Sequence, residues 1–336
     1  MKFYKLFFEE LSKPTTGEVK MNKKEQKKKY NMTCPGCRSE DVVDFMKVPD
    51  RFHGRSTLFQ LVQCKKCSLV WIADPPKAEE MSFHYSREYD LSIAAAGDSA
   101  PERARNRKKT LIQYRKGGAI LDLGCSAGSF LKSLPSEEWQ LHGIDMSQEA
   151  AKRAKEECGA EVFVGDILDA QFPPNSFDVI TCFHVFEHLY KPYEVLSKVS
   201  EWLKPGGIFY VLVPNIDSAG AHIFKSYWYA LEIPRHVFHY SPKSLTLMAV
   251  ASGLEVLSLS THREVFLEKS VRYVLDTIVK KIGIKRKPLA EATHPGILFR
   301  AARKVFRLTI LPVISLLASF AGDGESIHAI FIKKSN

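Results

Sequence analysis

Four of the seven cysteines stand in two C-x-x-C pairs, Cys34-Pro35-Gly36-Cys37 and Cys64-Lys65-Lys66-Cys67. Each tight turn offers two sulfurs, and two such turns suit one tetrahedral zinc ion. The Pro-Gly and Lys-Lys centres fit knuckle turns of that kind. With cysteine at all four positions no place is left for a water, so the predicted zinc is structural. Redox dithiols are the weaker alternative, because no thioredoxin-like strand–helix context follows either pair. The remaining Cys125, Cys158 and Cys182 are scattered.

A second group of residues surrounds the pattern Asp122-x-Gly124-x-x-x-Gly128. A glycine turn between a strand and a helix lets a ligand approach the backbone, where free N–H groups await it. The spacing is neither G-x-G-x-x-G nor a Walker loop, which predicts a ligand without a pyrophosphate to cradle. Asp145 lies about twenty residues beyond the turn, where a carboxylate accepts hydrogen bonds from ribose hydroxyls. Asp166, at the end of the next strand, is placed to accept from an adenine amine while Ile167 packs on the ring. Asp122 is placed to hold a cationic amino-acid end. Together these predict S-adenosylmethionine rather than a dinucleotide.

Further polar residues follow the fourth and fifth strands of the same region: His184, Glu187 and His188, then Arg235, His236 and His239. Methyl transfer from an activated sulfonium needs alignment, a dry pocket and, for hydroxyl or carbon acids, a base. His188 and His236 are the expected bases. Arg235 is expected to pin an anionic group, with a structural ion pair as the alternative. The run His184-x-x-Glu187-His188 also spells the inverted zinc-peptidase pattern, so a metal-dependent hydrolase stays open as a rival. A divalent metal held by His184, Glu187, His188 and His236 without peptidase chemistry is a further variant.

The elements that must position these residues alternate strand and helix. Strands are predicted at 119–123, 140–144, 161–164, 177–183, 208–213, 254–259 and 327–333, with helices from 129, after Asp145, up to Trp202 and over 243–252. That alternation predicts an α/β fold, a doubly wound, mostly parallel seven-stranded sheet. The expected organisation is a basic tail (1–30), a zinc ribbon (31–80), a helical cap (81–116), a cofactor-binding core (117–262), a helical lid insertion (263–324) and the final core strand (325–336).

The whole chain has 336 residues, 45% hydrophobic and 26% charged, with a net charge of +10. This excludes a collagen, a wholly disordered chain and a disulfide scaffold. No stretch reaches the roughly 18–20 apolar residues of a membrane span. The N-terminus does not read as an export signal, because Glu9 and Glu10 interrupt its apolar run. A cytoplasmic location is therefore expected. Basic residues over 269–310 beside the apolar run Leu308 to Phe320 raise a sharper alternative, peripheral contact of 263–320 with the inner face of a membrane. Nucleic acid is disfavoured as a partner, because the basic runs lack interleaved aromatic platforms.

The segments Leu121-Asp122-Leu123-Gly124-Cys125-Ser126-Ala127-Gly128, Gly143-Ile144-Asp145, Gly165-Asp166-Ile167 and Phe177-Asp178-Val179-Ile180 resemble the successive motifs of class I S-adenosylmethionine-dependent methyltransferases. Lys204-Pro205-Gly206-Gly207 is similar to the same family, and Ser126 stands where its middle glycine is usual. The second knuckle with Cys67-Ser68-Leu69-Val70-Trp71, and the run Ser226 to His236, resemble a subgroup with an N-terminal zinc ribbon. The resemblance implies Asp122, Gly124, Cys125, Ser126, Gly128, Asp145, Met146, Asp166, Ile167 and His184 as cofactor-binding residues. It implies Cys34, Cys37, Cys64 and Cys67 as zinc ligands, and a small-molecule acceptor such as a sugar or a glycan- or lipid-linked intermediate. RNA-binding or RNA modification by a methyltransferase is the alternative in substrate.

Overall fold

The computed structural model describes residues 32–85, 100–264, 266–281 and 324–335. The basic tail and the Leu308–Phe320 run, with any lipid contact made there, lie outside the described residues.

In chain order the elements are β1 (Val42–Pro49), β2 (Leu58–Cys64), β3 (Val70–Ile72), α1 (Ala100–Leu111), β4 (Gly118–Leu123), β5 (Trp139–Asp145), α2 (Gln148–Cys158), β6 (Glu161–Val164) and β7 (Phe177–Phe183). There follow α3 (Pro192–Trp202), β8 (Leu203–Pro214), α4 (Ala219–Phe224), β9 (Phe238–His239), α5 (Pro242–Ala251), β10 (Leu254–His262), α6 (Phe266–Lys281) and β11 (Ser326–Lys333). Seven strands form one sheet in the order β10-β11-β8-β7-β4-β5-β6. Only β11 runs against its neighbours, pairing antiparallel with both β8 and β10.

The central strands are apolar runs because both faces are covered. Ile120, Leu121 and Leu123 of β4 and Val179, Ile180 and Cys182 of β7 are all fully buried. Local signals start and stop the covering helices. Ser147 caps α2 by accepting from the Ala150 amide at 3.2 Å, and Gly159 ends it at φ 71°. Pro192 opens α3, which buries Val195, Leu196, Val199 and Trp202 along one face.

One expectation fails. Instead of a helix after the glycine turn there is a single 3-10 turn, Leu131–Ser133. Only fifteen residues separate Leu123 from Trp139, and Pro135 falls among them. The turn therefore acts through its own backbone, not through a long helix dipole.

The two knuckles belong to a second sheet, β1-β2-β3-β9. Its fourth strand comes from far along the chain: Val70 pairs with His239 and Trp71 with Phe238. A side chain at Gly36 would press within 3.1 Å of Leu69 and of Met248 on α5. The ribbon thus shares a core with the larger sheet's helices, including Leu69, Trp71, Val195, Leu245 and Met248.

Candidate active site

The register of the parallel strands sets the site. Leu123 pairs with Ile144 and Asp145 with Val164, so the carboxyl ends of β4, β5 and β6 form one edge. The chain leaves β4 through a turn in which Gly124, Ser126 and Gly128 take φ of 72°, 48° and 74°. At Gly124 a β-carbon would lie 2.3 Å from Val185, in the loop after β7. Glycine is required there by both space and φ. The turn is tied to β5: the amides of Gly124 and Cys125 donate to the Ile144 carbonyl at 2.8 and 3.1 Å. Cys125 is buried with its thiol against the sheet, 2.5 Å from where a β-carbon on Gly143 would lie. Only its main chain is offered at the turn.

Ser126 holds a left-handed conformation that costs an L-residue roughly 1–2 kcal/mol. Ser126→Gly is therefore expected to stabilise the protein by about 1 kcal/mol net, raising the melting temperature by roughly 2 °C. A lowered melting temperature would show that the serine side chain has a compensating role.

The three acidic residues border this edge. Asp145 Oδ2 accepts from the Ser126 amide at 2.8 Å and Oδ1 from the Ser147 amide at 2.9 Å, stapling the turn to the start of α2. Asp166 Oδ1 accepts from the Leu168 amide at 2.7 Å. Ile167 is buried, and Met146 is exposed beside Asp145. Asp122 is buried, and Thr181, its register partner on β7, donates to it at 2.6 Å. Burial pushes its pKa up to about 7, against the Thr181 bond and the Arg107 charge.

Thr181 and Arg107, neither of them among the expected site residues, stand beside Asp122. Arg107 lies on α1, its guanidinium 4.5 Å from the centre of the Phe183 ring. The signal was available, since Ala104 and Leu111 are buried on α1 and Arg107 falls between them on that face.

Beside the turn lies the loop after β7. The expected helix of the peptidase pattern is absent: His184 has φ 58° and precedes one 3-10 turn, Phe186–His188. The side chains nevertheless converge. Glu187 is buried, and neither of its oxygens has a hydrogen-bond partner among the described residues. His184 Nδ1 stands 3.5 Å from Glu187 Oε1, and His236 Nε2 stands 3.9 Å from it. One ligand atom each from Glu187, His188 and His236 lie within 4.8 Å of one another. The His188 and His236 rings meet edge to face, 4.6 Å apart.

His236 Nδ1 donates to the Ala230 carbonyl at 2.8 Å, so Nε2 carries the lone pair toward Glu187. Burial, with His188 and His239 nearby, holds the His236 pKa well below its usual range. Burial likewise lowers His239, to about 4, and its Nε2 is turned to the Leu231 carbonyl. Arg235 departs from expectation. It is fully buried and turned toward the ribbon, with Glu232 at 3.7 Å and Asp50 at 4.0 Å, the geometry of the ion-pair alternative.

Residues 96–259 match the family described as Methyltransferase domain. A ubiquinone biosynthesis O-methyltransferase of Thiobacillus denitrificans is 30% identical over 183 residues, 51% of this chain and 79% of that protein. The chain belongs to the class I S-adenosylmethionine-dependent methyltransferases. A protein of the same printed name from Paraburkholderia xenovorans is 28% identical over 47% of this chain and 77% of its own. Among solved structures, a SAM-dependent methyltransferase from Archaeoglobus fulgidus aligns at TM-score 0.48 and 18% identity, over 73% of this chain and all of that one. Phosphoethanolamine N-methyltransferase 2 of Haemonchus contortus aligns at 0.45 and 18%, over 68% of this chain and 52% of its own.

The methyltransferase carries its four knuckle cysteines as one cluster. Cys34 and Cys67 approach to 3.5 Å between sulfurs, as do Cys37 and Cys64, and none is in a disulfide. Four sulfurs at about 2.3 Å from a tetrahedral zinc stand about 3.8 Å apart. The amides of Arg38 (φ 62°) and Ser68 (φ 66°) close matching turns on the Cys34 and Cys64 carbonyls, both at 2.9 Å. The donor set and spacing fit zinc. No helix among the described residues is long and apolar enough to cross a membrane.

Proposed function

We propose that this methyltransferase alkylates a hydroxyl group of a small acceptor, a class that includes sugars and lipid-linked sugar intermediates. One observation carries the reading: Gly124 of the cofactor turn packs directly on Val185, between His184 and the buried Glu187. A methyl donor on the turn would therefore face the Glu187–His188–His236 cluster. The name of the Thiobacillus denitrificans relative, an O-methyltransferase, supports oxygen as the atom modified.

In this reading Asp145 receives the ribose hydroxyls, Asp166 and Ile167 receive the adenine, and Asp122 with Arg107 faces the amino-acid end. The cofactor supplies a methyl group on an already activated sulfonium. The chain's own residues align the acceptor, exclude water and remove its proton. A neutral imidazole of His188 or His236 takes that proton, and the buried Glu187 carboxylate stabilises the imidazolium that results. His188→Ala and His236→Ala are each expected to lower turnover about 10²–10³-fold with affinity for S-adenosylmethionine unchanged. An assay of radiolabelled methyl transfer over a panel of hydroxylated acceptors tests both. Full turnover in both variants would remove the base from this cluster.

The protonation of Asp122 adds a pH dependence. Below about pH 7 the free protein holds a proton on this carboxyl. A cationic ligand favours the ionised form, so binding near pH 6 should release a proton. Affinity should then fall as pH drops through 7, by up to about tenfold per unit. Calorimetry in buffers of different ionisation enthalpy measures the release; none at pH 6 would take Asp122 out of the binding site.

A second reading rests on the unpartnered oxygens of Glu187. A buried carboxylate without a donor is costly, and with two imidazole nitrogens beside it a divalent cation would satisfy it. Metal bound in excess of the zinc, found by elemental analysis after manganese loading and lost in Glu187→Gln, would support that version.

A further inference from the structure

The ribbon reaches into the active site by a route that zinc binding alone does not require. Asp50, at the exit of β1, is fully buried. Its carboxylate accepts from the His53 amide at 3.2 Å and stands 2.9 Å from His53 Nδ1. His84 Nδ1 lies 3.4 Å away and an Arg55 guanidinium nitrogen 3.5 Å away. Burial pushes the Asp50 pKa up, but the His53 bond and the Arg235 charge together hold it below the usual carboxylate range.

The far partner in this network is Arg235, on the loop that continues into β9. Its guanidinium packs 4.7 Å over Phe52 and donates to the His84 carbonyl at 3.3 Å. The Arg235 main-chain carbonyl, in turn, lies 3.1 Å from His188 Nδ1. A carbonyl only accepts, so a hydrogen bond in that contact puts the proton on Nδ1 and leaves Nε2 as the basic nitrogen. In that tautomer the Tyr85 hydroxyl oxygen, 2.8 Å from the same Nδ1, is a second acceptor of its proton. Two main-chain bonds brace the segment, Ile72 N–H to the Val237 carbonyl at 3.1 Å and Val237 N–H to the Glu187 carbonyl at 2.9 Å.

We propose that Asp50 is a positioning residue for methyl transfer: it holds Arg235, whose carbonyl sets the tautomer of His188. The proposal rests on the reading of His188 as an acceptor-side base. It assigns the ribbon a part in building the acceptor site, beyond its own folding. Removing the carboxylate leaves the buried guanidinium with Glu232 alone, 3.7 Å from its Nε, of the two carboxylates beside it, and the loop carrying the Arg235 carbonyl is what can yield.

The test uses the full chain with 15N-labelled histidine and S-adenosylhomocysteine as the probe ligand. His188 is assigned by comparison with His188→Gln. In the wild type its two ring nitrogens should give well-separated resonances of an Nδ1–H tautomer. In Asp50→Asn they should converge as both tautomers become populated, while zinc stays at about one per chain and probe affinity stays within twofold. Arg235→Lys disturbs the same pair from the core side, away from the cysteines, and should give the same convergence even if Asp50→Asn fails to fold. Unchanged His188 resonances in Arg235→Lys, or in a zinc-replete Asp50→Asn, overturn the proposal. Failure of the wild type to bind the probe would count against the cofactor reading, and is read separately from the His188 spectrum.

Discussion

Asp145→Ala is expected to weaken S-adenosylmethionine binding by about 10²–10³-fold, the largest loss from any single side chain of the cofactor site. The carboxylate sits at the end of β5 with one oxygen on the Ser126 amide and the other on the Ser147 amide. Each oxygen keeps a further lone pair for a ribose hydroxyl. Charge-assisted bonds of this kind contribute roughly 1.5–3 kcal/mol each, and two of them account for the predicted factor. Alanine also releases the staple on the turn, so Gly124 and Ser126 lose part of their preorganisation. Asp145→Asn should fall between the two, because its amide nitrogen would face one of the two N–H donors. Titration calorimetry on the three proteins gives the ranking directly. Wild-type affinity in Asp145→Ala would move the ribose elsewhere.

The second large effect is expected at the cysteines. The purified methyltransferase should carry about one zinc per chain, and the double variant Cys34→Ser, Cys37→Ser should carry almost none. Structural zinc contributes on the order of 10–16 kcal/mol in small zinc modules, so β1 to β3 should not survive its loss. The consequence spreads because β9 belongs to the ribbon's sheet. Without β3 to pair with, the segment from Arg235 to His239 loses its anchor beside His188. The cofactor turn is tied instead to β5, through the Ile144 carbonyl and Asp145. Cofactor affinity should therefore change only a few-fold while methyl transfer is lost. Zinc retained by the double variant would contradict a centre built from all four knuckle cysteines.

Sequence and structure diverge once for a local reason and otherwise through distance along the chain. The helix expected after the first glycine turn depends on local pattern, and Pro135 with the short span to β5 leaves room for one 3-10 turn only. Arg107 is one basic residue among several in the segment expected as a helical cap, and its place beside Asp122 shows only once α1 is seen to bury Ala104 and Leu111 on either side of it. Arg235 reads as a substrate anchor, because its charge is visible in the sequence and its partner Asp50, 185 positions earlier, is not.

The amino-acid sequence by itself determined the carboxyl ends of β4 to β7, the glycine turn with its three nearby carboxylates, and the paired knuckles. Those features follow from period, from φ-permissive residues and from short spacings, all of which are local. Only the tertiary structure decided that Gly124 meets Val185, that Glu187, His188 and His236 converge, and that β9 completes the ribbon's sheet. Such contacts join segments tens to hundreds of residues apart, and packing of the two sheets on a shared core selects them, not any local preference of the chain.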